Sequence, residues 1–219
     1  MTAGRAEAFS DGVFAVAITV LVFGLLPIGS GTLNTHTLLH AWPTYTAYVV
    51  SFLTIGIMWM NHHTILGHVT RVDRALLTLN LFLLLGIVAV PFPTALVAQH
   101  LDKGKAAASL AAVVYGLVLI AISTGFASVW VYVATHAAKL GAEVPRQALR
   151  RSIPRFIGGT AVYVVGTLVA ALWSAAVAVA IYGLLAVYYL FEHLPSPSGD
   201  DGEAAGQGPG QAAHGEQPG

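Results

Sequence analysis

The chain has no cysteine, and among its 219 residues only ten are basic and ten acidic, a charged share of 9%. Without cysteine there is no disulfide framework, zinc–thiolate site or iron–sulfur cluster. With so few charges a domain of this size cannot cover its surface in water, which excludes an ordinary soluble enzyme. The formal net charge is zero, so no surplus of basic residues remains for a nucleic acid. What fills the space is apolar: 56% of the residues are hydrophobic, and the mean hydropathy is +0.74. These numbers describe a polytopic, all-α membrane protein.

The spans follow from where charge is missing. Residues 12–70, 75–101, 106–138 and 156–191 contain no Asp, Glu, Lys or Arg. About 20 apolar residues cross a bilayer core as a helix. The first stretch therefore holds two spans, broken at Pro27-Ile28-Gly29-Ser30-Gly31 and the polar run to Pro43. The next two stretches hold one each. The last holds two short ones with a turn near Trp173-Ser174. Six transmembrane helices are expected, at 8–26, 43–67, 74–99, 106–137, 154–172 and 174–192.

Basic residues set the orientation. With the N-terminus inside, Arg5, Arg71, Arg74, Lys139, Arg146, Arg150, Arg151 and Arg155 fall on the cytoplasmic side, and only Lys103 and Lys105 fall outside. The expected protein is thus multi-pass in the cell membrane with both termini cytoplasmic. Glu7 and Asp11 argue against reading the first span as a signal peptide. Residues 1–193 form the transmembrane unit. From 194 to 219 the chain turns to Gly, Pro, Ser, Gln and Ala with four acids and no Lys or Arg, the composition of a disordered cytoplasmic tail.

Polar groups inside a bilayer need a reason. One cluster, Arg5, Ser10 and Asp11, opens the first span. A second, Trp59, Asn61, His62 and His63, ends the second span at the same cytoplasmic depth, and Asn80 lies one to two turns into the third. A hydrogen-bond network between helices is the expected role. A metal site is not, because adjacent histidines point about 100° apart on a helix and zinc sites favour i, i+4 pairs. Val16, Thr19, Val20 and Phe23 share one face of the first span, and spacing alone does not separate a packed face from a pore-lining one. No nucleophile relay, phosphate loop, Thr-Val-Gly-Tyr-Gly filter or arginine-rich voltage sensor is present, no enzymatic activity is expected, and no cofactor is implied.

The run Arg5-x-x-x-Phe9-Ser10-Asp11-Gly12-Val13-Phe14-Ala15-Val16-Ala17-Ile18-Thr19 resembles the first-helix signature of the prokaryotic branch of the transmembrane protein 175 potassium channels. Trp59-x-x-His62-His63, Asn80 and Pro91-Phe92-Pro93-Thr94 continue the resemblance in order. It is close over the first three spans and rests on hydropathy and the Tyr163 region beyond them. The resemblance implies a homotetramer in the lipid bilayer that conducts K+ passively, with rings of Val16, Thr19, Val20 and Phe23 around a central axis. It implies that Arg5, Ser10 and Asp11 bond to Trp59 and a histidine of the second span, holding the pore helix without touching ions. Two departures stand out: the family more often has Leu or Ile where Val16 and Val20 stand, and an acid where Gly24 stands. A proton-coupled transporter using Asp11, His62 and His63 as its relay, and a membrane scaffold without flux of its own, are the competing readings.

Overall fold

Helices account for most of the described residues, and their ends are set by local chemistry. A computed structural model describes residues 2–29, 34–142 and 146–192. In chain order these are α1 (Ala3–Val20) with a 3-10 continuation (Leu21–Gly29), α2 (Thr35–His40), α3 (Trp42–Gly67), α4 (Arg74–Ala89), α5 (Pro91–His100), α6 (Lys105–Thr135), α7 (Ala137–Leu140), α8 (Arg146–Leu172) and α9 (Ala175–Glu192). No named strand occurs among the described residues; one isolated bridge joins Thr2 to Arg71. The tail expected from 194 onward lies outside the described residues.

Among the described residues four helical runs are long and apolar enough to cross a membrane: Ala3–Leu26, Trp42–Gly67, Arg74–His100 and Lys105–Thr135. Two shorter apolar helices, Phe156–Leu172 and Ala175–Leu190, lie where the fifth and sixth spans are expected. The largest boundary difference is at α8, which begins at Arg146, eight residues before the span expected at 154–172. Gln, Ala, Leu and Arg are all good helix formers, so the basic segment extends the helix instead of interrupting it.

The break between α4 and α5 has an identifiable cause. Pro91 lacks the N–H that the Ile87 carbonyl would take in an α-helix, and Val90 N–H bonds that carbonyl instead at 3.1 Å. The Thr94 hydroxyl and amide then both return to the Val90 carbonyl, at 2.7 and 3.1 Å. Thr94 also meets the Ser51 hydroxyl at 2.7 Å, and Ser51 meets the Tyr115 hydroxyl at 2.8 Å. Ser51 and Thr94 are buried, so this chain of hydroxyls joins α3, α5 and α6 where an unpaired polar group would be costly.

On the other side of the core, α6 presents Ala108, Ala111, Ala112 and Gly116, all small, as it packs on α8 and α9. Gly116 is required there. A Cβ would overlap the Thr167 and Tyr182 hydroxyls, which bond each other at 3.2 Å. Gly116→Ala is expected to lower the melting temperature of the detergent-solubilised protein by about 5 °C, as overpacking of about 2 kcal/mol implies for a chain of this length.

One end of the bundle is clasped. Ala3 N–H bonds the Thr70 carbonyl at 3.3 Å, and Thr70 and Arg71 N–H both bond the Leu140 carbonyl, at 3.2 and 3.0 Å. Beside them Asp73 caps α4 through Leu76 N–H at 2.9 Å, accepts the Tyr132 hydroxyl at 2.7 Å and pairs with Lys139 at 2.5 Å. The Leu76 amide, Lys139 and Tyr132 together hold the Asp73 carboxyl well below the usual carboxylate range, and the same pairing raises Lys139. A depressed carboxylate stabilises the fold above its unfolded value, about 4, and loses that contribution as pH falls toward its folded value. Asn also caps helices well, so Asp73→Asn removes the charge and keeps the cap. The melting temperatures of wild type and Asp73→Asn are expected to differ at pH 6–7 and to converge as pH is lowered below about 4.

Candidate pore helix and its polar anchor

The sequence of α1 divides it into two faces. Ala3, Ala6, Ser10, Phe14 and Ala17, followed by Leu21, are buried against α3, α4 and α5. The small residues let the helix sit close to its neighbours, and Phe14, 1% exposed, is the one large side chain on that face. The flanks of α1, with Glu7, Asp11, Val13 and Ile18, are half-buried, and the face opposite the core is left open by its own chain. Val16 is 58% exposed, Val20 37% and Phe23 61%, and Thr19 and Gly12 are exposed beside them. All four residues of the expected face are therefore exposed in the single chain.

The stripe continues past the α-helical part. In the 3-10 segment residues three apart eclipse one another, which sets Leu26 in line with Phe23; Leu26 is 66% exposed. The switch in helix type begins at Leu21, inside the stripe. The Thr19 hydroxyl donates to the Val16 carbonyl at 2.9 Å, so its proton is engaged and its lone pairs remain available to a cation.

On the buried face a single-file chain of donors begins. His62 Nε2–H donates to Asn80 Oδ1 at 2.8 Å, Asn80 Nδ2–H donates to Ser10 Oγ at 3.0 Å, and Ser10 Oγ–H donates to the Ala6 carbonyl at 2.8 Å. Each member is at most 4% exposed. The Asn80 amide offers its oxygen to His62 because its nitrogen is already committed to Ser10, and this selects the Nε2–H tautomer. Nδ1 of His62 is then a bare acceptor, and it has no hydrogen-bond partner among the described residues. The imidazole lies against Phe14, ring centroids 5.3 Å apart.

Two further contacts tie the flank of α1 to α3. Trp59 Nε1–H donates to Asp11 Oδ1 at 2.9 Å, and His63 Nδ1 meets Glu7 Oε1 at 2.7 Å. The two adjacent histidines therefore part: His62 turns into the core and His63 to the surface. The anchor brings together Ser10, Asp11, Trp59, His62, His63 and Asn80. It does not include Arg5, which is exposed and makes no hydrogen bond or ion pair among the described residues. Sequence reading missed Glu7, one turn before Asp11 and therefore able to face the same helix; the i, i+4 spacing was the available signal. It also missed Leu26, which only the 3-10 phase brings into line.

Comparison with known proteins places this geometry. Residues 5–91 match the family described as the endosomal/lysosomal potassium channel TMEM175. The chain is 44% identical over 197 residues to a potassium channel of Streptomyces collinus, covering 89% of this chain and 95% of that one. It is 36% identical over 190 residues to a potassium channel of Chamaesiphon minutus, covering 85% and 92%. Among solved structures, it superposes with a TM-score of 0.74 on a lysosomal potassium-selective channel TMEM175 homolog from Chamaesiphon minutus, at 34% identity over 87% of this chain and 97% of that one. The matched segment holds α1, the polar anchor and the α4–α5 break, and the long alignments carry the likeness through the remaining helices: the chain belongs to the TMEM175 family.

Proposed function

We propose that this protein is a potassium-selective channel in which four copies set α1 around a common axis and K+ passes down its gradient through a hydrophobic constriction. The observation that carries the reading is the division of α1. Every hydrogen-bonding side chain of the Ser-Asp pair turns toward its own chain, and the opposite stripe, Val16, Thr19, Val20 and Phe23, is left for symmetry mates. The names of the relatives, potassium channels at 44% and 36% identity, support the same conclusion.

The physics needs no carbonyl filter. Apolar rings close enough to expel water form a barrier that an ion crosses only after losing part of its hydration shell. K+ holds that shell less tightly than Na+, which favours K+ modestly. Thr19 oxygens stand between the Val16 and Val20 rings to replace some of the lost water. In this reading the Phe-Ser-Asp motif holds the pore helix: Ser10 and Asp11 bond Asn80 and Trp59 and touch no ion. The clasped end, where Thr2 meets Arg71 and Lys139 pairs with Asp73, faces the cytoplasm, as its basic residues favour.

Flux in sealed vesicles tests this. A channel gives passive K+ flux set by the ion gradient alone. Flux that requires a co-substrate or a proton gradient would establish the transporter instead, and a scaffold would give none.

A further inference from the structure

On the side of the bundle away from α1, helices α3, α6, α8 and α9 enclose a crevice of about 290 Å³. Its walls are mostly apolar, with Ile57, Met58, Ile122 and Phe126 among them, and among the described residues no Asp, Glu, Lys, Arg or His lines it. Two polar side chains reach it without a hydrogen-bond partner among the described residues: the Tyr163 phenol and the Asn61 amide. Tyr163 is 8% exposed, and its ring is held by Tyr182, centroids 6.2 Å apart. The threonine and serine hydroxyls of the wall are satisfied: Thr54 by Val50, Thr64 by Met60, and Ser123 by Thr160.

Tyr163 is buried as a residue, and its hydroxyl opens into the apolar crevice and finds no protein partner there, a costly arrangement unless something else bonds it. The Thr54, Thr64 and Ser123 hydroxyls are paired, so the Tyr163 hydroxyl marks where a ligand's polar atom fits. The volume holds about ten non-hydrogen atoms, at roughly 30 Å³ each. The described wall offers no counter-charge to an ionised head, so it suits an uncharged one better. The geometry points to the crevice as a binding site for an uncharged amphiphile of about that size, an alcohol or phenol whose hydroxyl bonds Tyr163 and whose body lies against Ile57, Met58, Ile122 and Phe126. Asn61 supplies the second polar contact of the wall. Such a ligand reaches the site by partitioning from the bilayer, and the site is independent of the pore assignment.

The test uses the full chain in phosphatidylcholine vesicles with 3-azioctanol, a diazirine-bearing alcohol that adds to adjacent side chains on illumination. Mass spectrometry is expected to find saturable adducts on the crevice walls, suppressed by excess octan-1-ol and not by octanoate or octylammonium at neutral pH. Tyr163→Phe keeps the ring and removes the hydroxyl, and the half-saturating concentration is expected to rise about fivefold, the loss of one hydrogen bond of about 1 kcal/mol. Ala186→Phe, which fills the wall, is expected to abolish the adducts. Adducts absent from the crevice, competition by the ionised analogues, or half-saturation unchanged in Tyr163→Phe would each overturn the proposal. Because the readout is labelling, it stands or falls separately from ion flux.

Discussion

Val16→Asn and Phe23→Ala are each expected to raise cation flux into reconstituted vesicles by about an order of magnitude and to flatten the preference for K+ over Na+. The two substitutions reach that outcome by different routes. Val16→Asn exchanges an apolar branch for an amide of similar size, so in a tetramer four hydrogen-bonding groups enter one ring and water enters with them. Phe23→Ala widens the ring and removes the largest exposed side chain of the face. In both cases an ion keeps more of its hydration shell at the narrowest point. Lowering that barrier by about 1.4 kcal/mol gives the tenfold change. Selectivity falls because K+ gains from the constriction only by dehydrating more easily than Na+.

Both variants alter side chains outside the buried core of their own chain, so neither is expected to disturb the fold. Val16 and Phe23 are more than half exposed. The effect is thus read directly as flux with an unchanged melting temperature. If flux and ion ratio both stay at wild-type values, α1 does not line the pathway. The two Val rings, smaller than the Leu or Ile rings implied by the family resemblance, make Phe23 the position where the larger response is expected.

Much of this arrangement was legible in the sequence because it depends on depth along the membrane, and depth is set by counting. The charge-free stretches place the helices. The alternating direction of the first three spans puts Ser10 and Asp11 level with Trp59 and His62, and Asn80 lies within two turns of the same edge. What counting does not give is rotation. A helix turned by 100° exchanges His62 for His63, and the packing of Phe14 against one imidazole decides which is buried. The 3-10 segment was invisible for a similar reason: Leu-Val-Phe-Gly-Leu-Leu reads as helix in either geometry, but only the tighter winding aligns Leu26 with Phe23. Arg5 shows the opposite failure. Its place beside Ser10 in sequence suggests a shared network, yet five residues along a helix is about 140° of rotation, enough to leave it on the exposed side.

Asn80→Leu is expected to destabilise the protein by about 2 kcal/mol, read as a fall of about 6 °C in melting temperature. Leu occupies nearly the same volume in a site that is 4% exposed, so the loss comes from the polar atoms. Ser10 keeps a bond, since its hydroxyl still donates to the Ala6 carbonyl. His62 does not: its Nε2–H, buried beside α1, loses its acceptor, and an orphaned donor costs more than the bond itself contributes. The double variant His62→Phe/Asn80→Leu separates the two terms. With the imidazole gone no donor is orphaned, and a phenyl ring keeps the contact with Phe14. The double variant is therefore expected to be more stable than Asn80→Leu alone by about 1 kcal/mol, a non-additivity proper to residues in one network. Additive losses would mean that His62 and Asn80 act independently and that the donor chain does not hold α1. Because Ser10 is the point where that chain meets α1, the K+/Na+ ratio of Asn80→Leu is expected to move toward unity together with the fall in stability, although Asn80 itself lies on the far side of the helix from the proposed pore.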